Sequence, residues 1–291
     1  MGYQQIKIPR IYMNVAEFLA LKGVIDIDPV FRTLPVNLQD IPAEIIFPDL
    51  DNFTDIFQNH FMAILGNEFN SFNIIKSNTN IITDIDNIIN GLTSDCRSGF
   101  IICGLNEIPR KLTASGRVGS IILGTYFDFP HSPDLNISIS YDYGDVKEVT
   151  TKGGSTLTNS HYTPNMWGNR AAWEFDGEHK LSFIGRRIFT MNFSFIADSN
   201  AFPKDINLTN FESDNYDADD YFANTILKDD TILKVIHLTN GGQLPVILQL
   251  DNTSGSEKPD QFSICKIDSN FTFQQTAPNL YSISLRFREI W

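Results

Sequence analysis

The sequence YSISLRFREIW, residues 281–291, alternates apolar and polar side chains over most of its length. This period of two is typical of a β-strand with one face buried and the other facing solvent or a partner. The apolar set is Tyr281, Ile283, Leu285 and Phe287, and the polar set between them is Ser282, Ser284, Arg286 and Arg288. The pattern predicts a strand with Arg286, Arg288 and Glu289 on its outward face.

Similar β-type segments recur upstream, with turn residues between them. Residues 135–143 alternate cleanly, and we expect them to pair with residues 146–151. After Gly185, an apolar set at alternate positions comprises Phe189, Met191, Phe193 and Phe195. Strands about every ten residues are typical of a sandwich or barrel. The chain is therefore predicted to be mainly β.

Two short helices are predicted from their boundary residues. Asn14 is expected to cap a helix over residues 15–22, and Thr231 one over residues 232–238. A third is uncertain, because the apolar residues 56–65 fit either a strand or a helix, and we expect Gly66 to end that element.

Composition restricts the class of partner. The chain has 291 residues, 42% of them hydrophobic, and a net charge of −13. Enough apolar residues are present to form a core, so extensive disorder is not expected. The acidic balance argues against nucleic acid and anionic membrane surfaces as partners, because both need a basic footprint. No bilayer-spanning run and no export signal is predicted.

Motifs for chemistry are missing from the sequence. The three cysteines, Cys96, Cys103 and Cys265, form no CxxC pair, and their odd number fits folding in a reducing cytoplasm. The five histidines show no metal-ligand spacing. No nucleophile elbow, phosphate loop or zinc-protease motif occurs. We therefore expect a protein that is not an enzyme and has no cofactor or metal.

One aromatic cluster has two interpretations. Flat aromatic rings with polar neighbours are typical of sugar-binding sites, whereas the same residues also serve in a core or an interface. The cluster consists of His161, Tyr162, Trp167 and Trp173.

Two polar segments also leave alternatives open. His131 and Asp134 form either a functional turn or a turn fixed by its two prolines. An acidic run is either a calcium site or a solvated loop, and it lacks the residue spacing of an EF-hand. The run contains Glu212, Asp214, Asp217, Asp219 and Asp220.

A third group is charged. Arg186 and Arg187 either pair with acidic residues of a neighbouring subunit or form ordinary surface ion pairs of about 0–1 kcal/mol. The same two interpretations apply to the end of the chain. The predicted subunit interface is therefore Arg186, Arg187, Arg286, Arg288, Glu289 and Trp291.

Several motifs resemble a family of virion structural proteins from tailed bacteriophages, especially marine ones. The most specific are GGQLP at 241–245, DQF at 260–262 and LRFREIW at 285–291. Others are PRIY at 9–12, GTYFD at 124–128 with PHSPD at 130–134, TKGG at 151–154 and GRR at 185–187. AILGN at 63–67 is similar to a strand-turn of galactose-binding-like jelly rolls, with Asn67 in place of the usual His.

The resemblance implies two β units. Residues 1–39 would be an N-terminal arm with a short helix, 40–184 a jelly-roll-like domain, and 185–291 a tail-tube-like sandwich that includes the arm or stands beside it. It further implies a structural tail protein of the baseplate or distal tail. Such a protein would assemble as a ring or symmetric set, contact neighbouring tail proteins, and reside in the virion after synthesis in the host cytoplasm. The alternatives are a carbohydrate-binding host-recognition module and a neck component.

Overall fold

A computed structural model of the chain describes residues 6–33, 39–40, 44–53, 56, 59–75, 81–82, 89–90, 100–104, 108–142, 146–160, 186–204, 227–253, 261–268 and 270–290. Within them lie sixteen strands, three short α-helices and two 3-10 turns. The helices are α1 (Val15–Leu21), α2 (Asp198–Ala201) and α3 (Ile232–Leu238). The first eight strands are β1 (Arg10–Asn14), β2 (Gln39–Asp40), β3 (Glu44–Ile46), β4 (His60–Ile75), β5 (Ile81–Ile82), β6 (Ile89–Asn90), β7 (Phe100–Gly104) and β8 (Lys111–Asp128). The other eight are β9 (Ser138–Asp142), β10 (Val146–Thr150), β11 (Thr156–Ser160), β12 (Arg186–Ala197), β13 (Val246–Gln249), β14 (Phe262–Ile267), β15 (Phe273–Ala277) and β16 (Leu280–Glu289).

The strands form two antiparallel sheets. The larger follows the order β6-β7-β4-β8-β1-β13-β14-β16-β12-β9, with β2, β3, β5 and β15 attached at its sides. The smaller contains only β10 and β11. The predicted mainly β fold with few short helices is confirmed, and it is consistent with a β-sandwich.

The N-terminal strand β1 lies in the middle of the large sheet. It pairs with β8 on one side, where Arg10 is opposite Asp128, and with β13 on the other, where Arg10 is opposite Gln249. Hydrogen bonding therefore runs without a break from strands of residues 40–184, through the arm, to strands of residues 185–291. The division of the chain into residues 1–39, 40–184 and 185–291 stays a prediction, and strands from all three parts belong to this one sheet.

The central strands are buried on both faces. On β1, Ile11 and Met13 belong to one apolar cluster, and Tyr12 belongs to another on the opposite face. The first cluster also includes α1, α3 and the strands around β12 and β16. Strands β13 and β14 contribute buried residues to both clusters. Such strands lack the polar face of an ordinary antiparallel sheet.

The two helices that the sequence predicts, α1 and α3, both form. Asn14 Oδ1 accepts the backbone N–H of Glu17 at 3.2 Å, and Thr231 Oγ1 accepts that of Lys234 at 3.3 Å. Each cap satisfies a donor that the first helical turn leaves open. Asn14 also donates to the Phe31 carbonyl at 2.8 Å, so the cap connects α1 to the following turn.

Two local predictions are wrong. Gly66 does not end its element, since β4 continues through it to Ile75. Within the strand Gly66 takes a positive φ of 61°. Strand β9 pairs with β12, whereas β10 pairs with β11. Pairing with a distant strand thus replaces the expected local hairpin, and β9 and β10 lie in different sheets.

Candidate interaction surface

A bulge in β12 turns one phenylalanine outward. The apolar residues Phe189, Met191 and Phe193 are buried, as the alternation predicts. The register with β16 then shifts between Phe193 and Ile196, so Ile196 becomes the next buried residue. Phe195 occupies the extra position with a φ of 62° and is 70% exposed. Its expected place on the apolar face is wrong, because a bulge adds one residue and reverses the alternation.

The segment before β9 is fastened beside this bulge. The Asp134 backbone N–H donates to the Asn192 carbonyl at 2.8 Å, and the Ser194 hydroxyl donates to Asp134 Oδ2 at 2.7 Å. These bonds hold the segment that contains Asp134 against β12. Leu135 is fully exposed at 103%. We call the exposed side chain of Phe195 at the bulge the bulge patch.

Asp134 and His131 have structural contacts in this turn. Asp134 bonds β12 as described, and His131 Nδ1 lies 2.7 Å from the carbonyl of Ser132. The His131 ring also packs at a tilt on Phe193, with 6.1 Å between ring centroids. These contacts favour the interpretation of a structural turn.

The hairpin of β10 and β11 presents a second exposed apolar pair. Val149 and Leu157 lie directly opposite each other in the register, and they are 59% and 62% exposed. Its turn is closed by the Thr151 N–H donating to the Ser155 carbonyl at 2.8 Å and the Gly154 N–H donating to the Thr151 carbonyl at 2.9 Å. Gly154 takes a φ of 82°, which suits glycine.

Arg187 and Glu289 form an ion pair inside the chain. Glu289 is fully buried, and its Oε1 accepts from Arg187 Nε at 2.7 Å. Arg187 Nη2 also donates to the Phe262 carbonyl at 3.2 Å and to Ser263 Oγ at 2.6 Å. The predicted outward position of Glu289 is wrong, because it shares the parity of the buried residue Phe287. These two residues therefore connect β12, β16 and β14 and are not exposed for a neighbouring subunit.

The other predicted interface arginines do lie on the surface. Arg286 pairs with Asp268 at 3.0 Å and Arg288 with Asp142 at 2.8 Å, all with partly exposed side chains. Arg186 is half-buried at the start of β12. Whether a subunit contacts them stays a prediction. Trp291 lies outside the described residues, as do His161, Tyr162, Trp167, Trp173 and the acidic run from Glu212 to Asp220.

The PRIY motif at 9–12 and the GTYFD motif at 124–128 lie next to each other, because β1 pairs with β8. Arg10 Nε donates to Asp128 Oδ1 at 2.6 Å, and the Arg10 guanidinium lies over the Tyr126 ring at 4.0 Å. Asn252 Nδ2 donates to the same carboxylate oxygen at 2.7 Å. Burial raises the pKa of Tyr12 to about 12, and its hydroxyl donates to Gln249 Oε1 at 2.8 Å. This network is satisfied internally and joins three strands.

A buried lysine stands apart from these satisfied groups. Lys234, in the first turn of α3, is 0% exposed, and its Nζ makes no hydrogen bond. Burial lowers its pKa, which the carboxylates of Asp230 and Asp229 oppose. Burial also raises the pKa of Asp230, which Lys234 opposes. Asp230 Oδ2 accepts from Asn59 at 3.4 Å, whereas its buried Oδ1 has no partner.

The described residues contain no group of three or more His, Cys, Asp or Glu side chains placed to hold a metal ion. None of the helices in the same ranges is long and apolar enough to cross a membrane.

The sequence pattern indicates the strands of this surface, but it does not indicate which of their apolar residues are exposed. Phe195 and Leu135 each follow an alternating pattern that predicts burial. No protein-family model, curated protein or solved structure matches the chain.

Proposed function

We propose that the chain is a non-enzymatic structural component of a bacteriophage tail, in the baseplate or distal tail. It assembles with copies of itself as a ring or symmetric set and contacts neighbouring tail proteins. The particle and the position in it rest on the sequence motifs at the two ends of the chain. Self-assembly is supported by the outward position of Phe195.

Phe195 combines two unfavourable features. An L-residue in the left-handed region costs about 1–2 kcal/mol, and Phe195 has a φ of 62°. The same conformation leaves its ring 70% exposed. Strained backbone conformations persist where the surrounding structure enforces them, and they cluster at binding sites and switch regions. A second surface that covers the Phe195 ring would bury its apolar area and so offset the cost of the strained backbone.

The size of the bulge patch fits a contact that is repeated by symmetry. A phenylalanine buries about 150–250 Å² when it is covered, and burial contributes about 25 cal/mol per Å². One such contact is weak after the cost of association, but a closed ring repeats it at every subunit. We therefore infer that copies of this chain contact one another through Phe195.

Light scattering of the purified chain tests this proposal. The variant Phe195→Asn removes the ring and keeps a residue that tolerates a positive φ. We expect the wild-type protein to be oligomeric and Phe195→Asn to shift towards monomer at the same concentration. Leu21→Gln, at a helical residue that is 54% exposed, is the matched control and should keep the wild-type mass.

Electron microscopy of the source particle tests the location. A symmetric density in the tail that fits the chain is the expected result. A wild-type protein that stays monomeric at the highest concentration reached, and is missing from the particle, would overturn the proposal.

A further inference from the structure

The C-terminal ends of α1 and α3 are joined by two contacts. The imidazole of His237, in the last turn of α3, packs in an edge arrangement against the Phe18 ring of α1, with 5.4 Å between ring centroids. Just beyond the two helices, Lys22 Nζ donates to Asn240 Oδ1 at 3.0 Å. Phe18 is 2% exposed and belongs to the larger apolar cluster. The contact with α3 therefore helps to keep an aromatic side chain out of solvent.

A cation already lies at this contact. Lys22 Nζ is 5.5 Å from the centroid of the same Phe18 ring, and a lysine ammonium keeps its charge at neutral and acidic pH. His237 is half-buried, so a proton on its imidazole would be a second positive charge in a partly desolvated place. Like charges at short range repel, and a buried charge loses hydration. Both effects weaken the contact when His237 is protonated.

Other charged groups on the surrounding elements do not offset this second charge. Glu17 of α1 accepts the Thr33 backbone N–H at 3.0 Å, so its carboxylate is directed towards the turn after the helix. On α2, which packs against α3, Asp198 is exposed. Arg10 of β1 and Lys234 of α3 are cations, of the same sign as a protonated imidazole. The surroundings of His237 therefore favour its neutral form.

The direction of the pKa shift agrees with these contacts. Burial lowers the pKa of His237 below the ordinary 6.5, and the charge of Lys22 lowers it further. The C-terminal end of a helix favours a cation, but burial and Lys22 act against that effect. The unfolded chain therefore takes up this proton at a higher pH than the folded chain. Stability from the group is present above pH 6.5 and is lost as the pH falls through the folded pKa.

We propose that the contact between α1 and α3 is acid-sensitive, with His237 as its titrating group. When the imidazole takes up a proton from solvent, it becomes a second cation beside Lys22, and the C-terminal end of α1 separates from α3. Phe18 is then uncovered, as an apolar surface that is hidden at neutral pH. This inference goes beyond the proposed tail function and does not depend on it.

An NMR titration of the histidine ring protons in the full chain tests the charge coupling. The signal of His237 is assigned by its loss in His237→Phe. We expect a pKa below 6.5 in the wild type and a higher value in Lys22→Met, which removes the neighbouring charge. Lys152→Met, at an exposed lysine of the β10–β11 turn, is the matched control and should leave the pKa unchanged. A His237 pKa that is not lowered, or that Lys22→Met does not raise, would overturn the inference.

Amide hydrogen exchange followed by mass spectrometry tests the separation of the helices. After correction for intrinsic exchange rates, we expect the protection of residues 18–22 to fall at least about threefold from pH 7.5 to pH 5.5. His237→Phe keeps an aromatic ring and cannot be protonated, so its protection should stay constant. If that variant does not fold, Lys22→Met replaces it and should show a smaller fall than the wild type.

His131→Gln is the control at a histidine of another element, and its response should equal that of the wild type. Equal protection of residues 18–22 in the wild type at both pH values would overturn the proposal. So would a fall in His237→Phe, or in Lys22→Met where it is the variant used, as large as that of the wild type.

Discussion

The side chain of Glu289 reaches back across the sheet to Arg187, 102 residues earlier, and accepts its Nε–H at 2.7 Å with no exposure to solvent. The Arg187 backbone N–H donates to the second carboxylate oxygen of Glu289. Both oxygens of the carboxylate are therefore satisfied by one residue. Since Arg187 also bonds β14, the pair fixes the positions of three strands relative to one another.

Removal of this carboxylate should be costly. Glu289→Ala leaves the guanidinium buried without its counter-charge, and we expect a loss of about 3–5 kcal/mol in the free energy of unfolding. Arg288→Ala is the control on the same strand, where the exposed pair with Asp142 contributes about 0–1 kcal/mol. Urea denaturation followed by circular dichroism measures both. Equal losses in the two variants would contradict a special role for the buried pair.

Replacement of Lys234 should have the opposite sign. Lys234→Met keeps the aliphatic side chain and removes a buried ammonium without hydrogen bonds, so we expect a gain of about 1–3 kcal/mol at pH 7. Lys22→Met, at an exposed lysine, should change stability by less than about 0.5 kcal/mol. Urea midpoints of the two variants and the wild type give the comparison. A large loss in Lys234→Met would show that the ammonium is stabilising.

The pH dependence of stability gives a further prediction for Lys234. Burial lowers its folded pKa below the ordinary 10.5, so the unfolded chain binds more protons between these two values. Stability from this group therefore rises with pH across that window. We expect wild-type stability to gain on Lys234→Met as the pH rises towards 10.5. Parallel stability curves for the two proteins over this range would refute the assignment.

Gly124 should not tolerate a side chain. A Cβ at this position would overlap the Met13 carbonyl oxygen and lie 2.8 Å from its carbonyl carbon, both in the neighbouring strand β1. Backbone atoms cannot move aside as a flexible side chain can, and we expect Gly124→Ala to lose about 1–3 kcal/mol or more. Gly104→Ala, where nothing lies within 4 Å, is the control. Thermal unfolding of both variants decides, and a stable Gly124→Ala would show that β1 and β8 are spaced differently.

Two phenylalanines in one strand should respond differently. Phe193 is buried and stacks on Phe129 with 4.2 Å between ring centroids, so Phe193→Ala should cost about 3–5 kcal/mol. Phe195→Asn removes an exposed ring at a positive φ and should leave the stability of the monomer equal or higher. Unfolding measured at low protein concentration separates this effect from association. A large loss in Phe195→Asn would mean that its ring packs within the chain.

The sequence predicts elements better than their partners. Asn14 and Thr231 indicate their helices because a capping side chain acts on a backbone N–H within three residues. The alternation around Leu285 indicates β16 for the same local reason. Partner choice is not local: β9 joins β12 although β10 is closer in sequence.

The candidate surface was harder to predict. Phe195 belongs to an alternating set, and only the bulge against β16 turns it outward. The charge of Glu289 favours an outward position, although its parity with Phe287 already indicates burial. The only sequence feature that indicates burial of Lys234 is its position as a lone lysine among the apolar residues of a short helix. Buried charges depend on partners that the sequence pattern does not reveal.

The central place of β1 has a consequence for the order of folding. One edge of β1 is closed by β8, but the other is closed by β13, more than 230 residues later in the chain. Until Val246–Gln249 have been synthesised, β1 carries an open edge in an apolar sheet, and such edges pair readily with other chains. We therefore expect the late segment to limit aggregation of the nascent protein as well as to complete its sheet.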